Sequence, residues 1–148
     1  VKEESDARAE ASLDGALGKE LRWLQRQAHE TAQRKGWYAK VRPGNLTRDV
    51  CTWIALMHSE LSEALEEVRK FGDEPEGLDA RADFLDRFRE VRFREKDGKP
   101  EGLPTEFADI VIRVMDTCEY LGIDLFEVVR RKMAFNESRP YKHGGKAV

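Results

Sequence analysis

The chain has 148 residues and a mass of 17.1 kDa; 40% of its residues are hydrophobic and 37% charged, with 26 basic against 29 acidic side chains. A net charge of −3 excludes a nucleic-acid binder driven by phosphate neutralisation, and recurring Ile, Leu and Val exclude disorder over most of the length. No apolar run approaches the ~18 residues a membrane span needs.

A chain of this size suits one domain that buries about two-thirds of its unfolded surface, with no need of disulfide or structural metal. Its charge fraction lies far above the usual ~25%, so the apolar residues must be gathered into stripes on amphipathic helices. Residues 1–12 read as an N-terminal charged segment, and Val1 to Glu10 carry no apolar h-region, so no secretory signal is expected. Residues 13–148 read as a single helical domain. Cys51 and Cys118 lie far apart and fit no Cys/His spacing, which points to a reducing, cytoplasmic setting rather than a disulfide or zinc site.

Apolar residues at Leu13, Leu17, Leu21, Leu24 and Ala28 predict a first helix from Leu13 to Ala32, stopped by Gly36. Trp37 and Tyr38 open a connection that contains Pro43-Gly44. Thr47 is the expected N-cap of a second helix, with Asp49 in its first turn. The apolar stripe of that helix is Val50, Ile54, Met57, Leu61, Ala64, Leu65 and Val68, ending at Phe71. Residues 73–104 are rich in charge, Gly and Pro and read as an insertion. It holds a short amphipathic helix at Phe84, Leu85, Phe88 and Val91, and a turn from Lys96 to Pro100. Thr105 is the expected cap of a third helix reaching Leu121, with Gly122 as its stop. Asp124 and Glu127 form a capping-box-like start to a fourth helix, Leu125 to Ser138, ended by Pro140. Residues 139–148 form a basic tail. The expected fold is all-α, a bundle of four main helices with a short insertion helix.

Two helices carry the chemistry. On the second, Glu60, Glu63 and Glu67 share a side with Trp53 and Leu56, which is unusual for a solvated face. The third is apolar over most of its circumference, leaving a narrow polar stripe of Glu106, Asp109, Arg113 and Asp116. Acids set beside a core need partners. Glu60-x-x-Glu63 and Glu106-x-x-Asp109 are therefore two carboxylate pairs, each on one helix face. Four oxygen donors without thiol or imidazole suit a hard cation, Mg²⁺ or Mn²⁺. Di-iron bundles need Glu-x-x-His on two helices, and no histidine here follows a glutamate at that spacing. Lys132, Asn136 and Arg139 fall on one face of the fourth helix and suit polyphosphate oxygens. Trp53, Trp37 and Tyr38 are either packed aromatics or a surface on which a base stacks.

At these residues the chain resembles the MazG-like all-α nucleoside triphosphate pyrophosphohydrolases. The resemblance runs through Leu56-Met-His-Ser-Glu-Leu-Ser-Glu-Ala-Leu-Glu-Glu67, Pro100-Glu-Gly-Leu-Pro-Thr-Glu-Phe-Ala-Asp-Ile-Val-Ile-Arg113 and the segment Lys132 to Lys146. It implies a helical bundle completed by oligomerisation, as a homodimer or homotetramer. It also implies Mg²⁺ held by Glu60, Glu63, Glu106 and Asp109, with Mn²⁺ as a substitute. Glu60 or Glu63 would act on the attacking water, and Lys132, Asn136 and Arg139 would bind the phosphates; a nucleoside entering past Trp53, Trp37 or Tyr38 would bring its α-phosphate to the metal first. The implied reaction converts an NTP or dNTP to the monophosphate and pyrophosphate, clearing unwanted nucleotides. Ser59 stands where the family pattern has a first Glu, and the interval before Glu106 is longer than the family's usual spacing. Two alternatives share the same residues: a non-catalytic helical interaction module, and a pyrophosphatase acting on another phosphoanhydride such as a nucleotide sugar.

Overall fold

Helical periodicity dominates the chain, and the described residues form four helices. The computed structural model describes residues 2–42, 44–70 and 94–140, with side chains over 15–42, 44–70 and 97–140. Helix α1 spans Lys2–Arg34, α2 Leu46–Arg69, α3 Leu103–Tyr120 and α4 Leu125–Glu137. A short antiparallel hairpin, β1 (Arg94–Lys96) and β2 (Lys99–Glu101), precedes α3. Among the described residues the architecture is all-α apart from this hairpin. The expected insertion helix around Phe84–Val91 and the tail beyond Pro140 lie outside the described residues. Among the described residues, no helix is long and apolar enough to cross a membrane, and Cys51 and Cys118 are free thiols.

Several boundaries differ from the sequence expectation. Helix α1 starts at Lys2, well ahead of Leu13, because the Lys, Glu, Arg and Ala of that stretch are strong helix formers whether or not an apolar stripe is present. Leu46 is already helical and Asn45 occupies the N-cap position, so Thr47 lies inside α2. Thr105 likewise lies inside α3, whose N-cap is Gly102. Pro104 fits that first turn because it has no N–H to lose there. The turn expected at Lys96 to Pro100 is the tip of the hairpin. Asp97 and Gly98 both take positive φ, 54° and 78°, the conformation that two-residue hairpin turns require and that Asp-Gly tolerates. The strands flanking that dipeptide carry no apolar alternation, so only the turn was legible.

The expected stop and start between α3 and α4 are observed. Gly122 adopts φ 68°, and Ile123 N–H returns to the Cys118 carbonyl at 2.8 Å, closing the end of α3. Asp124 accepts from Glu127 N–H at 3.1 Å and caps α4. The Glu127 side chain does not return to the cap; it accepts from Arg130 and Arg131, which lower its carboxyl to about 2. Gln25 of α1 fixes this turn from outside. Its amide donates to Glu119 Oε2 at 2.7 Å and to the Ile123 carbonyl at 2.9 Å, and its Oε1 accepts from Leu125 N–H at 3.2 Å.

Helix α3 is the central element, packed against both α1 and α2, while α4 rests on α1. The α2–α3 interface is rotated from the sequence expectation toward the carboxylate side of α2. The residues of α2 that are buried are Glu60, Ala64 and Glu67, with Ala64 packing on Leu103 and Val68 beside them. Of the apolar stripe expected to form the core, Ala64 is buried and Val50, Met57 and Val68 are partly buried, while Ile54, Leu61 and Leu65 are about half exposed, as are Phe107 and Val111 of α3. Small Ala64 lets the helices approach along the carboxylate side, and the larger apolar residues face outward.

Candidate metal centre

The approach of α2 to α3 brings acids together. Glu60 of α2 and Glu106 and Asp109 of α3 offer carboxylate oxygens that all lie within 4.8 Å of one another. The i,i+3 spacing on α3 puts its two acids on one face, and the close contact at Ala64 draws α2 onto that face. Burial first, and then the charges of Glu63, Asp109, Glu60 and Glu67, raise the Glu106 carboxyl above the usual range. Asp109 is raised as well, by burial and by the Glu60 charge, with Arg113 and Lys99 pulling it back. Carboxylates that resist joint ionisation, with oxygen donors alone, suit a hard divalent cation. The donor set fits Mg²⁺ or Mn²⁺.

Glu63 stands at the edge of this group. It is exposed, and Ser59 Oγ donates to its Oε1 at 3.4 Å. Among the neighbouring charges it acts most strongly on Glu106. Glu67, on the same side of α2, is 8% exposed and pairs with Lys70.

Lys132 and Asn136 sit on α4, and Arg139 lies just past its last helical residue. Lys132 and Arg139 flank the Phe135 ring at 5.1 and 6.0 Å. Helix α4 lines a groove with Leu17, Gly18 and Leu21 of α1. Gln25 meets Glu119 and His29 meets Asp116, so α3 runs antiparallel to α1 and Asp109 lies about 25 Å along the α1 axis from that stretch at 1.5 Å per residue. Within one chain, the structure does not bring the α4 cations to the acids. Trp53 packs in an aromatic cluster, with Tyr120 at 4.9 Å and Tyr38 at 5.5 Å between ring centroids.

Arg113 and Asp116 have partners that the sequence did not reveal. Arg113 Nε and Nη2 both donate to Glu60 Oε1, at 2.7 and 2.5 Å. Asp116 Oδ1 accepts from Tyr38 Oη at 2.6 Å and lies 2.7 Å from His29 Nδ1. The only available signal was their place on the polar stripe of α3. Comparison of the chain with protein-family models, curated proteins and solved structures returned no match.

Proposed function

We propose that the chain is a Mg²⁺-dependent nucleoside triphosphate pyrophosphohydrolase of the MazG-like kind, converting an NTP or dNTP to the monophosphate and pyrophosphate in the cytoplasm. The observation that carries this reading is the convergence of Glu60, Glu106 and Asp109 from two helices within 4.8 Å. Glu60, Glu106 and Asp109 would hold the cation, with Glu63 beside them. A bound Mg²⁺ supplies charge neutralisation on the phosphates and makes a water easier to deprotonate. Glu63 is the better placed of the two glutamates to orient that water and take its proton, because Glu60 is tied to Arg113. Hydrolysis of a dNTP in ¹⁸O-water should put the label on the monophosphate, with pyrophosphate as the first free product. Early orthophosphate with a nucleoside diphosphate would reject this reaction, and turnover of sugar nucleotides alone would favour the other phosphoanhydride.

The phosphate-binding role of Lys132, Asn136 and Arg139 then calls for a second copy. Half-exposed Leu61, Leu65, Phe107 and Val111 form apolar surface of the kind that marks subunit interfaces, in keeping with a homodimer or homotetramer. If α4 of one protomer serves the acids of another, Glu106→Gln and Lys132→Ala/Asn136→Ala chains should complement when mixed. Each mixed dimer then has one intact site, so about a quarter of wild-type activity should return. No recovery from subunits shown to exchange would remove these residues from the site.

A further inference from the structure

Arg113 stands inside the acidic group rather than in solvent. It lies about one turn beyond Asp109 on α3, with both of its bonded nitrogens on the same Glu60 oxygen. Glu60 is 7% exposed, and a carboxylate buried so deeply needs a counter-charge. On its far side the guanidinium rests over Trp37, with Cζ 5.2 Å from the ring centroid. Trp37 is 60% exposed and stands with Arg113 and Asp109 on a groove of about 420 Å³ between α1 and α3. The guanidinium is therefore held by two contacts at once, a buried carboxylate and an aromatic face open to water, and the second can retain it if the first is lost.

Glu60 is also one of the three acids that converge. A divalent ion and the guanidinium draw on one carboxylate, and two cations there repel each other. Resting on the metal reading above, we propose that Arg113 is the built-in counter-cation of the site, competing with the divalent ion for Glu60 and giving up that bond, while Trp37 retains the guanidinium, when the ion binds. In the ion-free chain it offsets part of the repulsion among the acids. In the loaded chain it becomes a positive group at the mouth of the groove, where an anion carried in with the metal is met. Lys99 is a further positive charge that acts on Asp109.

Calorimetric titration of Mn²⁺ into metal-free wild type and R113Q tests the competition. Removing the positive charge should tighten Mn²⁺ about tenfold. It should also lower the melting temperature of the ion-free protein by several degrees, a loss that added Mn²⁺ reverses. Affinity equal to or below that of wild type overturns the proposal, since Arg113 would then only orient Glu60. Uptake by neither protein overturns the metal reading itself, and the competition with it. A second measurement leaves Arg113 in place. Mg²⁺ titrated into wild type should shift the tryptophan emission, and Trp37→Phe should abolish that shift. Binding without a shift, or a shift that survives Trp37→Phe, shows that the guanidinium does not move.

Discussion

Glu106→Gln and Asp109→Asn are each expected to lower turnover by about a hundredfold to a thousandfold, the loss seen when one preorganised electrostatic contact is removed from an active site. Both should weaken Mn²⁺ binding measured by calorimetry while leaving the helical circular dichroism intact. The metal-free protein should move the other way. Glu106 is raised by burial and by four neighbouring acids. A carboxyl raised in the folded state gives stability that is present below its unfolded pKa and lost as pH climbs through the folded one. As pH rises wild type loses that contribution, so Glu106→Gln should melt a few degrees higher in the presence of a chelator. The gap should narrow as pH falls below the usual glutamate range, where the carboxyl is protonated in the unfolded chain as well. Asp109→Asn should gain less, because Arg113 and Lys99 already offset its neighbours. Wild-type turnover in either variant would take the acids out of the chemistry.

This pairing of lost activity with gained stability separates a functional acid from a structural one, and sequence alone could separate them only in part. Periodicity located the four helices, and Gly122 and Asp124 marked the turn between α3 and α4 through local chemistry: a positive φ and a capping carboxylate. It also placed Glu60, Glu106 and Asp109 on faces that could meet. It did not say which face of α2 would turn inward. The large apolar members of the stripe, Ile54, Leu61 and Leu65, are the stronger signal, yet of that stripe it is Ala64 that is buried, between Glu60 and Glu67. A hydrophobic stripe records that a surface is to be covered; whether the same chain covers it depends on contacts between helices. The start of α1 was missed for the converse reason, since helix propensity without a stripe leaves no periodic trace. Arg113 was legible only as one more member of a polar stripe. Its pairing with Glu60 spans 53 residues, and no local pattern encodes it.

Asp116 belongs to the same stripe as Asp109 and should behave in the opposite way. It accepts from Tyr38 Oη at 2.6 Å and pairs with His29 Nδ1 at 2.7 Å, so it joins α1 and the segment after it to α3. The rings around it close the site: Tyr38 stacks on Tyr120 at 5.0 Å, and the His29 and Trp53 rings meet them edge-on. Burial and the Asp116 bond push the Tyr38 phenol above its ordinary value, so at neutral pH it is the donor to Asp116. Asp116→Ala strands both donors in an aromatic setting, at a cost of about 2–4 kcal/mol. For a chain of this length that is a fall of roughly 5–15 °C in melting temperature. Asp116→Asn keeps an acceptor for Tyr38 and should lose less. Because Asp116 contributes no oxygen to the converging group, Mn²⁺ affinity measured well below the melting point should stay close to that of wild type in both variants. A wild-type melting curve for Asp116→Ala would show that the hub does not hold α1 to α3. Loss of Mn²⁺ binding without loss of stability would instead move Asp116 into the metal site beside Asp109.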